Sequence, residues 1–320
     1  MLLEVKNLST HFFSPGGNIK AVDNISFCLD KGETLALVGE SGSGKTVTAL
    51  SLLRLISNPP GKIMSGEILF EGRDLLQLTS KEMRQVRGNR IAIIFQEPMT
   101  SLNPVLTVGY QIMEPLMLHK KMRQTEALKK CWQLLEKVQI SDPKIRSKFF
   151  PHMLSGGMKQ RIMIAMGMSC NPSLIIADEP TTALDVTIQA QLLELLKDLT
   201  REMGSSMILI THDLGLVARY ADKVNVMYAG HIVEKAYVKD LYANPCHPYT
   251  QALLKSIPRI DQDLRKKLTP VQGNPPDLFC LPKGCAFHPR CNQKIDICMK
   301  LSPELKLLAN NHESACWIYE

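Results

Sequence analysis

Gly39-Glu40-Ser41-Gly42-Ser43-Gly44-Lys45-Thr46 reads G-x-x-x-x-G-K-[ST], and its flanks decide the fold. Before it runs Thr34-Leu35-Ala36-Leu37-Val38, apolar and short enough for a buried strand; after it, Val47 to Leu55 suits a helix. Strand, loop and helix in that order are the context in which this pattern cradles phosphate. The glycines let the backbone curl with its N–H groups inward, and the helix N-terminus adds partial positive charge. Gly39, Ser41, Gly42, Ser43 and Gly44 are therefore candidate cradle residues. Lys45 is placed to reach β- and γ-phosphates, and the Thr46 hydroxyl to ligate Mg²⁺.

Outward from this loop the pattern is α/β. Residues 1–33 alternate apolar and polar positions around Ser14-Pro15-Gly16-Gly17, as in a hairpin, with Phe12 and Phe13 just before the turn. An exposed ring here would stack on adenine, a role given to Phe12. Gly66 to Phe70 reads as a further strand, ending in the turn at Glu71-Gly72. Ile91-Ala92-Ile93-Ile94-Phe95 and Leu174-Ile175-Ile176-Ala177 are continuous apolar runs, as for strands buried on both faces. Between them the β-branched runs thin out and Thr125–Val138 takes on helical spacing, which predicts a helical insert. A helix from Lys159 to Ser169, a Leu-rich helix from Gln189 to Thr200, and a strand from Ser206 to Ile210 follow. Two closing strands around Gly230 complete the alternation expected of a mostly parallel sheet. After about Leu254, Pro258, Pro270, Pro275, Pro276, Pro282 and Pro289 punctuate a loop-rich tail.

The 320 residues carry 38 Lys and Arg against 31 Asp and Glu. That mild excess is not the dense basic stripe of a nucleic-acid binder. No apolar run is long enough to cross a bilayer, and the first residues lack a secretory signal, so the chain is expected to stay in the cytosol. Disulfides are rare there. Of nine cysteines, Cys280, Cys285, Cys291, Cys298 and Cys316 crowd the C-terminal tail, while Cys28, Cys131, Cys170 and Cys246 read as packing residues.

Three strand ends carry candidate chemistry. Asp178 can hold Mg²⁺ and Glu179 can polarise an attacking water as general base. Gln96 could touch Mg²⁺ or that water, and His212 could contact the γ-phosphate. Four thiolates at Cys285, Cys291, Cys298 and Cys316 suit a structural Zn²⁺ or an iron–sulfur cluster.

Leu154-Ser155-Gly156-Gly157-Met158 closely resembles the L-S-G-G-Q signature of the ATP-binding cassette (ABC) ATPases. With the loop Gly39–Thr46, Gln96, Asp178-Glu179, Ala183-Leu184-Asp185 and His212, it falls in that family's order. The resemblance implies an ABC nucleotide-binding domain over 1–254, with an antiparallel β subdomain and a helical subdomain at about 97–165. A Cys-rich extension, 255–320, completes the chain. It further implies that two cassettes pair head to tail, with ATP held between the phosphate loop of one and Ser155, Gly156 and Gly157 of the other. Asp185 joins the nucleotide-binding set. Met158 stands where the family has Gln, so a role for that side chain is in doubt.

The match narrows through Phe95 to Pro104, His247-Pro248-Tyr249-Thr250, Gly273-Asn274-Pro275-Pro276 and Gly284 to Cys291, which look like the di- and oligopeptide importer branch. That branch implies two transmembrane permease subunits, a second and non-identical ABC ATPase, an extracytoplasmic solute-binding protein, and a place on the cytoplasmic face of the membrane. It also implies a [4Fe–4S] cluster on the four cysteines, with Cys280 as a spare and His288 and His312 keeping Zn²⁺ as the alternative. Nickel or metal-chelate import is the alternative cargo. A soluble cassette acting on ribosomes or DNA is the alternative class, against which stand the single phosphate loop and the absence of a long heptad stretch.

Overall fold

The structure, a computed structural model, describes residues 1–97, 101–181, 185–257, 271–309 and 311–319. Pro98-Met99-Thr100, Ala183-Leu184, Pro258 and Pro270, all singled out above, lie outside the described residues. The chain divides into two compact units. One holds Met1–Leu29, Thr34–Leu76 and Ile210–Glu320; the other holds Asp30–Glu33 and Gln77–Leu209.

In the first unit, Leu3–Ser14 pairs antiparallel with Gly17–Leu29 on one side and with Gly61–Phe70 on the other, and Arg73–Asp74 closes the sheet. Alternation sends Phe27 and Leu29 inward, so Cys28 between them faces solvent rather than packing as expected. The strand Thr34–Val38 pairs in parallel with Lys223–Tyr228, which turns through Ala229 and Gly230 into the antiparallel partner His231–Tyr237. Both turn residues have positive φ, 47° and 83°, the geometry a two-residue hairpin needs to match strand twist. The helix Lys45–Leu52 is tied to the first sheet by a buried hydrogen bond between the Ser51 and Thr10 hydroxyls, 2.8 Å.

The described part of the tail holds more regular structure than its prolines suggest. Lys306–Ala309 and His312–Ser314 form a hairpin that extends the sheet beyond His231–Tyr237. Phe287 is buried against Tyr228 and Tyr249, ring centroids 5.2 and 5.3 Å away. Burying a phenyl ring contributes about 2–3 kcal/mol, enough to anchor a loop with little core of its own.

In the second unit, Ile91–Ile94 and Leu174–Asp178 pair in parallel. Leu174–Asp178 is buried throughout, as both-face burial demands; Phe95 ends the other run exposed. The helical insert comprises Val108–His119, Gln124–Lys137, Pro143–Arg146 and Gly156–Met168. Val108–His119 was not foreseen, because Pro115 inside it reads as a breaker; Thr107 caps it, accepting from the Tyr110 N–H at 3.4 Å. Val186–Met203 is longer than its periodicity indicated and stops at Gly204, φ 63°. Among the described residues no helix is long and apolar enough to cross a membrane.

Candidate functional site

The phosphate loop is built by close approach. A Cβ at Gly39 would lie 2.2 Å from the Met227 carbonyl oxygen, and one at Gly44 would lie 2.4 Å from that of Ala21. Both glycines also hold positive φ, so no other residue fits either end of the loop. Lys45 is buried, and its ammonium donates to the carbonyls of Gly39 and Glu40 at 2.8 and 2.9 Å and to the Ser43 hydroxyl at 3.4 Å. Ser41, Gly42 and Thr46 are exposed at the rim. Phe12 stands opposite Gly61 in the strand register and packs against it, half-buried; Phe13 is the more exposed ring, at 47%, reversing the expected order. His212 is exposed just past the strand Ser206–Thr211, and the Asp213 carboxylate behind it caps the next helix by accepting from the Gly215 N–H at 2.7 Å.

In the second unit the strand Leu174–Asp178 delivers Asp178, 3% exposed, and then Glu179 with φ 45°. A left-handed backbone is costly for a side chain of this kind, and such strain is held where the surroundings over-determine it. Here they do. Gln160, on the helix Gly156–Met168, donates to the Pro180 carbonyl, and the Gln189 amide donates to the Thr181 carbonyl at 3.0 Å. The Gln96 amide donates to the Glu179 carboxylate at 3.0 Å, so two residues predicted separately are brought together. Gln160 had no role in the sequence reading; its place just past the signature was the available signal.

Ser155 caps the helix Gly156–Met168, its hydroxyl accepting from the Met158 N–H at 3.4 Å. Gly156 has nothing within 4 Å of where a Cβ would stand, and its φ is ordinary. The fold of this chain therefore does not require glycine there, although glycine in a helix costs about 0.5–1 kcal/mol relative to alanine. Asp185 is exposed at the N-cap of Val186–Met203.

Around the phosphate loop, Tyr249 and the tail residue Arg290 form a feature the sequence reading missed. Tyr249, fully buried, accepts from the Glu40 N–H at 2.8 Å. Arg290 donates to both Glu40 carboxylate oxygens, at 2.6 and 2.9 Å, to the Gln272 carbonyl at 2.8 Å and to the Val271 carbonyl at 3.4 Å. The motifs His247–Thr250 and Gly284–Cys291 were quoted for resemblance alone; they deliver these two side chains.

The four tail cysteines converge. Cys285 N–H donates to the Cys298 carbonyl at 2.8 Å, and a Cβ at Gly284 would lie 2.3 Å from that same oxygen. Burial pushes the Cys285 and Cys291 thiols up and Cys316 to about 11, and the neighbouring cysteines act on each in the same direction. The Gln293 N–H donates to the Cys291 sulfur at 3.4 Å, while the His288 N–H donates to the Cys285 carbonyl at 3.0 Å. Four neighbouring thiols are the donor set that an iron–sulfur cluster takes. The two histidines kept for zinc are otherwise engaged: His288 Nδ1 bonds the Cys285 carbonyl at 2.9 Å, and His312 Nε2 bonds Glu234 at 2.7 Å.

Glu234, Cys246 and His312 also stand within metal-binding distance of one another, all buried. Their hydrogen bonding needs no ion, since the Glu234 carboxylate accepts from the N–H groups of Cys246 and His247, 2.7 and 2.9 Å, besides His312. His247 is held neutral. Burial lowers its pKa to about 4 against the pull of Glu234, and its Nδ1 accepts from the Tyr249 N–H at 3.1 Å. Between pH 6.5 and 4 the unfolded chain takes up a proton that the folded chain refuses, so stability falls with pH by up to about 3 kcal/mol. In thermal melts across that window, His247→Asn, which keeps the cap, will show a flatter decline than the native chain.

These features define a phosphate-binding α/β cassette with a cysteine-bearing extension. The ABC transporter model matches residues 22–182, and the model for the oligopeptide/dipeptide transporter C-terminal region matches residues 233–298. The chain belongs to the ABC transporter family, in the branch that carries this C-terminal region. It is 52% identical to the oligopeptide transport ATP-binding protein AppD of Bacillus subtilis, covering 100% of this chain and 97% of the relative. It is 50% identical to the dipeptide transport ATP-binding protein DppD of the same organism, covering 100% and 95%. Among solved structures it is similar to a dimeric ATP-binding cassette in a post-hydrolysis state bound to ADP and Pi. That match has a TM-score of 0.67 at 26% identity and covers 74% of this chain and 99% of that one.

Proposed function

We propose that the chain is the ATP-hydrolysing subunit of an importer of di- and oligopeptides. The observation that carries this reading is the coexistence of an ATP-binding cassette with the peptide-transporter tail, whose Tyr249 and Arg290 reach the phosphate loop itself. Its likeness along the whole length to proteins named for oligopeptide and dipeptide transport favours peptide over nickel or metal-chelate cargo.

Residue by residue, Gly39, Ser41, Gly42, Ser43 and Gly44 cradle the phosphates and Lys45 neutralises them. Phe12, half-buried beside Gly61, would stack its remaining exposed face on adenine. Thr46, Gln96 and Asp178 would hold Mg²⁺, which would supply positive charge toward the phosphates. Glu179 takes a proton from the attacking water while Gln96 orients its carboxylate, and His212 contacts the γ-phosphate. Ser155, Gly156, Gly157 and Asp185 serve the nucleotide of a paired cassette, a reading supported by the dimeric relative and by the open space at Gly156. That partner is a second, non-identical ATPase. The pair works at the cytoplasmic face with two permease subunits and, outside, a solute-binding protein. Cys285, Cys291, Cys298 and Cys316 would hold a [4Fe–4S] cluster, which staples the tail.

Anaerobic co-purification of the tagged chain from gently solubilised membranes tests this. The expected result is two multi-spanning subunits and a second cassette, with brown protein carrying about four iron atoms per chain. Retained ribosomal or DNA-repair proteins with no membrane subunit would overturn the importer, and colourless, iron-free protein would overturn the cluster.

A further inference from the structure

Glu40 is the single acidic side chain in the loop Gly39–Thr46, a loop otherwise built to attract anions. Left alone, its carboxylate would repel a triphosphate. It is not left alone. Arg290, 250 residues away, closes a two-pronged ion pair on it, with a side chain only 5% exposed. The guanidinium is itself fixed by the carbonyls of Val271 and Gln272 and lies over the Tyr228 and Phe287 rings, 5.8 and 5.9 Å from their centroids. The Glu40 peptide is gripped as well: Tyr249 takes its N–H and Lys45 binds its carbonyl.

We propose that Arg290 is a positioning residue for nucleotide. Through Glu40 it presets the phosphate loop and cancels the loop's own negative charge, so that the C-terminal extension completes the ATP site of its own chain. The inference rests on the reading of Gly39–Thr46 as an ATP site. A bidentate Arg–carboxylate pair is among the stronger polar interactions, and lysine cannot reproduce its fork. A merely structural Arg290 would hold the tail in place without touching nucleotide affinity.

The test is titration of the purified full-length chain with a fluorescent ATP analogue and Mg²⁺, alongside thermal melts. Arg290→Ala will raise Kd about tenfold, the loss expected for one charge-assisted pair. Glu40→Gln, which loses the grip but leaves no uncompensated charge, will raise Kd less than Arg290→Ala does, and Arg290→Ala with Glu40→Gln will bind as Glu40→Gln alone does, because the two side chains act as one unit. Arg290→Lys, which keeps the charge and is the milder change should alanine prove insoluble, will raise Kd while leaving the melting temperature nearly unchanged. Native affinity in folded Arg290→Ala or Arg290→Lys overturns the proposal, and so does a double variant as weak as Arg290→Ala. If the native chain binds no more analogue than Lys45→Ala, the nucleotide reading of the loop falls, and the clamp with it.

Discussion

Glu179→Gln will lower ATP turnover about a thousandfold while leaving ATP binding intact, the range expected for loss of a general base. Glutamine has the shape of glutamate and accepts the same bond from Gln96, but it cannot take a proton from water. The strained backbone at Glu179, φ 45°, and the hydrogen bonds of Gln160 and Gln189 to the following turn do not depend on its charge, so the variant will fold as the native chain does. Because ATP binds and is not consumed, paired cassettes will accumulate. Turnover assays with gel filtration in ATP and Mg²⁺ check both halves; near-normal turnover would remove Glu179 from its role.

Gly156→Asp separates fold from function more sharply. The new side chain enters open space, and an acidic residue in the first helical turn is favourable by about 0.3–1 kcal/mol. The variant will therefore melt no lower than the native chain. Yet the carboxylate occupies the spot where the helix N-terminus and Ser155 would meet a γ-phosphate, and turnover will fall at least about a hundredfold, as when an oxyanion donor is lost. Nucleotide binding by the isolated chain will be unchanged, since the defect lies in pairing. Stable, unpaired, inactive protein is the expected outcome; full turnover would dismiss the signature as a second phosphate site.

The elements that announced themselves in sequence are those whose physics is local. Thr34–Val38, Leu174–Asp178 and Ser206–Thr211 are apolar runs because they are buried, and the loop between Val38 and Lys45 needs its glycines for its own backbone path. Where distant parts of the chain decide, the reading fell short. Pro115 hid the helix Val108–His119, which its packing against the neighbouring helix Gln124–Lys137 sustains. The hairpin Lys306–Ser314 exists because His231–Tyr237 offers it an edge, and no pattern within those nine residues says so. The half-buried Phe12 likewise depends on a partner far along the chain, Gly61. The Arg290–Glu40 pair is the extreme case, a 250-residue separation that only the folded chain brings into contact.

The account's central claim is tested most directly by reconstituting the co-purified complex in liposomes and measuring ATP-dependent accumulation of a labelled oligopeptide in the presence of its binding protein. The account predicts uptake with peptide-stimulated ATP hydrolysis, both abolished by Glu179→Gln in this chain. Hydrolysis stimulated by nickel or a metal chelate, with no peptide uptake, would contradict it.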